Sequence, residues 1–465
     1  MANQYPTLPG KSTTAHFRRL LWRCGFSGSD RQIAHYRSLG LHGAIENLLA
    51  PASPAKLSGP APRVNGNPLD PANTWGHDTL WWLDRMVRSR NQLEERMTLN
   101  LHDRFATSNA GVGNTRHMLR QNALLRSHGV GSFLDLVTRL THDPAMLLWL
   151  NGADSNRWAP NENYARELME LFCLGNDPGL EAATFGLWKQ SKMYTQADIH
   201  AAALALTGWR YDWGNTQKDN PTFYDSSWHA NGSKTIFGHT GAWDWQDVVN
   251  LVIRHPNHAP FLALKLWSYF IPTPPPKSAM QMMVGNYLSS GCKLKPLLRV
   301  ILRHPAMYQS LDAPDLVKGP IVFVASALRM TGQFITEDAW AWLLDAMGQV
   351  PFYPPNVSGW DQGVAWLNTN SAHAYWQTTD YLIRGTVDDP GQESAADAVS
   401  RAIVALSHPW VSGDARTKLE AYAQSFFDAH NVVSGGKHVL GSHDRVERQR
   451  VLRALILAGP DGFLS

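Results

Sequence analysis

Apolar residues recur along this chain at three- and four-residue spacing, and that period constrains its fold more than any other feature. Leu80, Trp81, Leu83 and Met86 show it, as do Phe133, Leu134, Leu136, Val137 and Leu140, and again Val248, Val249, Leu251 and Val252. Each run places one apolar stripe on a helix. The expected fold is therefore mainly α: a multi-helix globular array with long irregular loops and at most a few short strands. Strand-like alternation is confined to residues near 211–213 and 235–237. With 465 residues, 44% of them apolar, the chain can bury a large core.

Local signals agree with the period. Thr195-Gln-Ala-Asp198 reads as a capping box ahead of a helix over 199–206, with Gly208 as its stop. Asp143-Pro144, His255-Pro256, His304-Pro305 and His408-Pro409 read as helix starts, since proline suits the first helical turn. Their spacing has no fixed period, which excludes a solenoid. Loop-rich stretches at 51–73, 176–192, 212–241 and 350–370 suggest five regions. These are an N-terminal helical region over 1–50, a linker-like loop over 51–73, a central helical region over 74–245, a C-terminal helical region over 246–385, and a late helical subregion over 386–465.

Charge narrows the function. Only 17% of residues are charged, 42 Lys and Arg against 39 Asp and Glu, so charge-driven binding to nucleic acid or an anionic membrane is not expected. Three dispersed cysteines give neither a disulfide framework nor a zinc module. No run approaches the roughly 20 apolar residues of a membrane helix, and a cytoplasmic location is expected. Walker A, GxGxxG and GxSxG patterns are absent, so no nucleotide or dinucleotide cofactor is expected. The 19 tryptophans suggest apolar ligands, sugars or interfaces.

The densest chemistry lies in Pro160-Asn-Glu-Asn-Tyr-Ala-Arg-Glu-Leu-Met-Glu-Leu-Phe-Cys-Leu-Gly175. It reads as one helix of three to four turns near the centre of the fold, starting at Pro160 and Asn161 and leaving at Gly175. Helical spacing puts Asn163, Glu167 and Glu170 on a polar stripe and Tyr164, Leu168, Leu171 and Phe172 on the apolar side. Arg166 is four residues from both Glu162 and Glu170. Two readings stand: an internally paired surface helix, or a buried stripe whose carboxylates bind a cation or act as acid and base.

This segment, with Asp143-Pro-Ala-Met-Leu-Leu-Trp-Leu150 before it and Ala205-Leu-Thr-Gly-Trp209 after it, resembles the bacterial family called domain of unknown function 1800. Further matching segments are His16 through Phe26, Gly232-Ser-Lys-Thr-Ile-Phe-Gly238, His255-Pro with Phe261 and Lys265-Leu266, and Gly348 through Trp360. The resemblance covers roughly residues 14–385. It implies no established reaction, and it implies a partner from the group called domain of unknown function 1501. Three departures stand out: Arg104 replaces the second histidine of a His-Asn-His pattern, Ala230 and Asn231 leave a carboxylate missing after His229, and an insertion over 178–192 follows the main helix.

The matching segments nominate His102, Glu167 and Glu170 as catalytic groups, and Asn163, Arg166, His229, Lys234 and Trp209 as ligand-binding groups. Two histidines and two carboxylates suit iron, manganese or zinc, so a divalent metal is a cofactor to test for, although no ExxH or HExxH pair sets a histidine with a second ligand on one helical face. The aromatic segment over 209–245 reads either as a wall facing the 161–175 helix or as a loop pinned to the core. Two functions follow: an enzyme with a polar, metal-assisted pocket for a carbohydrate or other polar substrate, or a noncatalytic helical binding or assembly protein whose motif residues form a structural polar network.

Overall fold

Helix starts in this protein are set by short polar side chains that take up the free N–H groups of the first turn. In the computed structural model, Thr195 and Asp198 form the expected capping box and Asp143 caps a helix that opens on Pro144. Each cap contributes about 1 kcal/mol. His304 caps a single 3-10 turn, Pro305–Tyr308, while His255-Pro256 is followed by a helix from His258. His408-Pro409 departs from expectation. His408 sits at φ 56°, which ends the preceding helical turn, and the next helix begins only at Gly413 behind a Ser412 cap.

The structure describes residues 5–50, 56–175, 194–218, 220–385 and 387–465, with the side chain of Asn370 left aside. Most of the linker-like loop is described; the insertion over 178–192 lies outside the described residues. The helices are α1 (Thr14–Cys24), α2 (Asp30–Ser38), α3 (Gly40–Leu48), α4 (His77–Arg88), α5 (Gln92–Arg104), α6 (Asn109–Val112), α7 (Thr115–His128), α8 (Phe133–Leu140) and α9 (Pro144–Trp149). There follow α10 (Asn163–Glu167), α11 (Gln196–Ala205), α12 (Trp245–Arg254), α13 (His258–Phe270), α14 (Lys277–Ser289) and α15 (Leu294–Arg303). The last are α16 (Pro320–Thr331), α17 (Ala339–Ala346), α18 (Thr369–Ile383), α19 (Ala395–Ala405), α20 (Gly413–His430) and α21 (Ser442–Ala458). Strands among the described residues form four two-stranded antiparallel ribbons, two of them within the aromatic segment, where Trp209 pairs with Tyr224 and Lys234 with Gly241. The fold is mainly α, and no described helix is long and apolar enough to cross a membrane.

Two apolar cores result, and neither is a contiguous stretch of chain. One joins α1–α3, α8 and α10–α15; the other joins α4 to α16–α21. Helix α5, like α7 and α9, contributes to both. Leu93, Met97 and Leu101 enter the first core and Leu99 the second, and ten of its thirteen residues are buried. A helix buried on every side carries polar groups into the interior, where they need partners. Glu95, fully buried, accepts from Arg126 Nε at 2.7 Å, Arg85 Nε at 3.1 Å and Trp82 Nε1 at 3.1 Å. The arginines hold its carboxyl below the usual range against the opposing effect of burial.

Candidate functional site

A cleft of about 530 Å3 opens where α5, the α10 helix and α13 meet the loop over 357–362. That volume falls within the roughly 300–1,000 Å3 of small-molecule sites. Helical spacing explains its walls. Asn100, Asp103 and Arg104 lie at i, i+3 and i+4 on α5, and Phe261, Lys265 and Ser268 at i, i+4 and i+7 on α13. Phe261 is flanked by two cations, the Arg104 guanidinium 5.8 Å and the Lys265 ammonium 5.5 Å from its ring centre.

The α10 helix supplies Glu170 and Leu171 through a change of helical register. Residues Leu168–Cys173 continue α10 as a π-helix, and the Leu174 N–H donates to the Met169 carbonyl five residues back at 2.8 Å. Met169 is fully buried in the core, while Leu171 packs against the edge of that core and also lines the cleft. Beyond it, His258 Nδ1 donates to the Cys173 carbonyl at 3.1 Å while its Nε2 accepts from the Tyr287 hydroxyl at 2.9 Å, so the helix end is held from α13 and α14. Glu167 and Glu170 are both half-buried. Burial and then the neighbouring Glu170 carboxylate push the Glu167 carboxyl up, opposed by Arg166.

Asp103 is the best-positioned carboxylate. Its Oδ1 accepts the Trp360 N–H at 2.8 Å and its Oδ2 accepts from Gln362 Nε2 at 2.6 Å, joining α5 to the 357–362 loop. Burial pushes its carboxyl up to about 6 despite those donors and the nearby Arg104. The loop can approach because residue 359 is glycine: its φ is 85°, and a Cβ would stand 2.6 Å from the Asp103 carbonyl oxygen.

Of the residues expected from sequence, Glu170 alone lines this cleft. His102, one position from Asp103, points elsewhere. It is buried among the rings of Trp82, Phe352 and Trp360 at 5.2, 5.8 and 5.5 Å, its Nε2 has no hydrogen-bond partner, and burial lowers its pKa to about 3. Arg166 donates to Glu162 at 3.1 Å and Gln196 at 3.0 Å, tying α10 to α11, and Asn163 is exposed in the first turn of α10. His229 Nδ1 donates to the Thr207 carbonyl at 2.9 Å. Lys234 Nζ donates to the carbonyls of Trp243 at 2.9 Å and Gly232 at 3.2 Å, closing the ribbon of Lys234–Ile236 and His239–Gly241. Trp209 stacks on His142 at 4.5 Å and meets Trp245 and Tyr224 edge-on. The aromatic segment thus packs on α11 and the α8–α9 turn, and none of its described residues lines the cleft.

Asp103, Lys265, Trp360 and Gln362 were not singled out by sequence reasoning. Lys265 and Trp360 sit in matching segments, whereas Asp103 lies beside Arg104 where the chain departs from the His-Asn-His pattern and occupies the position of its Asn. Among the described residues no group of three or more His, Cys, Asp or Glu side chains could hold a metal ion.

Comparison with known proteins is consistent with this picture and adds no activity to it. No curated protein and no solved structure matches the chain. The family described as Protein of unknown function (DUF1800) matches over residues 19–461, reaching through the late helices α19–α21 that the sequence resemblance left out, and the chain belongs to that family.

Proposed function

We propose that the cleft beside Asp103 is an active site for a hydroxyl-rich polar substrate, a saccharide being the class its lining suits. The observation that carries this reading is the Asp103 carboxyl itself: fixed by two donors, raised to about 6, and set in a cleft with a second carboxylate, Glu170. A group poised near neutrality suits proton transfer, and paired carboxylates are what glycosidic-bond hydrolysis uses. In that reaction protonated Asp103 gives its proton to the leaving oxygen as the carbon–oxygen bond breaks. Glu170 takes a proton from the water whose oxygen bonds to the sugar carbon. Asn100, Ser268 and Ser358 supply hydrogen bonds for hydroxyl groups, and Phe261 and Trp360 supply apolar faces. A metal-assisted version has less support, because the cleft offers two carboxylates and no histidine.

The test is incubation of the full chain with a panel of oligosaccharides, followed by mass spectrometry of the products. Cleavage that falls by about 100-fold or more in Asp103→Asn supports the reading. Absence of any cleavage across acidic, neutral and amino sugars contradicts it.

A noncatalytic reading has its own observation. His102, Arg166, His229 and Lys234 all serve packing or hydrogen bonds within the fold, as a structural polar network would require. Saccharide binding through the cleft without turnover favours that second reading.

A further inference from the structure

We infer that a second cavity, beside the start of α16, binds a small organic carboxylate through the buried guanidinium of Arg96. This goes beyond the saccharide reading and does not rest on it. The cavity measures about 370 Å3, and its walls include Arg96 and Leu99 of α5, Gly319 and Val322 at the start of α16, and Gln349. That volume has room for an acid with a body of its own.

Arg96 is 4% exposed. A charge so buried is costly and is normally paired, yet no carboxylate among the described residues forms an ion pair with it. The Tyr269 and Phe26 rings lie 5.0 and 5.8 Å from the guanidinium carbon. Nη1 donates to the Gly25 carbonyl at 3.4 Å, and Nε has no partner. The edge left over, Nε with Nη2, is the one that meets a carboxylate through two parallel hydrogen bonds.

The start of α16 adds donors to the same cavity. Pro320 has no N–H, the Ile321 N–H donates to Gln349 Oε1 at 3.0 Å, and the Val322 N–H meets no acceptor among the described residues. Free N–H groups at a helix start favour an anion. With its Oε1 so engaged, Gln349 keeps its amide N–H groups for a ligand oxygen. Asp103 is the one acidic residue on the described lining, and both its oxygens are turned to Trp360 and Gln362. Arg96 is the one cation there, which matches a singly charged carboxylate and leaves a doubly charged phosphate without a second partner.

Calorimetric titration of acetate, butyrate, benzoate, benzamide and phenylphosphonate into the full chain tests this. Benzoate should bind at least about tenfold tighter than benzamide, which has nearly its shape and no charge. Arg96→Gln should weaken benzoate by at least about tenfold. Should that variant fold poorly, Gln349→Glu decides: it keeps an acceptor for the Ile321 N–H, sets a negative charge in the cavity, and should abolish benzoate binding. Equal affinity for benzoate and benzamide, benzoate binding that survives both variants, or no binding of any of the three carboxylates overturns the inference. Phenylphosphonate binding tighter than benzoate overturns the carboxylate class. Benzoate binding lost in Lys265→Met and kept in Arg96→Gln places the anion in the cleft with Glu170 and overturns the site.

Discussion

Gly359 lies against Asp103 so closely that the loop after Pro354-Pro355 can meet α5 only because residue 359 lacks a side chain. The approach lets the Trp360 N–H reach the Asp103 carboxylate, and it brings Asp103, Trp360 and Gln362 together on the wall of the cleft. Gly359→Ala would combine left-handed backbone strain with a clash against main chain. A loss of about 1–3 kcal/mol is expected, with a larger loss of ligand binding than of helical content. Denaturant unfolding and far-UV circular dichroism check it; a variant as stable as the parent would contradict the described loop geometry.

Asp103 also gives a pH signature. Its folded-state pKa, about 6, stands above the usual 3.8, so the folded protein takes up this proton more readily than the unfolded chain. The resulting stabilisation is fully present below about pH 3.8 and is lost as pH rises through about 6. Asp103→Asn keeps a side-chain oxygen for the Trp360 N–H and cannot titrate. Its stability relative to the parent should therefore improve steadily from pH 4 to pH 7 in denaturant melts. A pH-independent difference would count against a raised Asp103 carboxyl.

His102 should behave as a core residue. Its ring is neutral, enclosed by three aromatic side chains, and leaves Nε2 unsatisfied. Removing an unpartnered polar atom that costs about 1–3 kcal/mol when buried should offset the changed packing. His102→Phe is thus expected to be at least as stable as the parent at pH 7, and to gain further as pH falls below 6.5, where the parent histidine is kept from taking its proton. Thermal melts at pH 5 and 7 decide this, and a large loss at both values would show a polar role for the ring.

The largest single-residue effect is expected at Glu95. Glu95→Ala leaves Arg126 and Arg85 without their buried carboxylate and frees the Trp82 indole N–H. A loss of about 3–5 kcal/mol follows from breaking such a pair on one side. Unfolding indistinguishable from the parent would mean that the network carries no stability.

The sequence carried more of the fold than of the site, for identifiable reasons. Period and caps survive in local residue order, and so the mainly α class and the α11 start at Thr195 were legible. The cleft depends on rotation about helix axes. His102 and Asp103 are neighbours in sequence but about 100° apart around α5, and a helix buried on both sides gives no apolar stripe to say which faces a cavity. Beyond α10 the chain continues as a π-helix, a register that local residue order does not announce, and Leu171 there both packs against the core and lines the cleft. Lys234 and His229 looked like site chemistry because they sit in segments matching the family, yet main-chain carbonyls in their own loop and at the end of α11 hold them.

The central claim is that ligand recognition runs through Asp103 and not through His102. Isothermal titration of the tightest-binding panel saccharide into the parent, Asp103→Asn and His102→Phe tests it in one measurement. The account predicts at least about tenfold weaker binding for Asp103→Asn and an unchanged dissociation constant for His102→Phe. The reverse order, or a saccharide affinity that neither substitution alters, would contradict it.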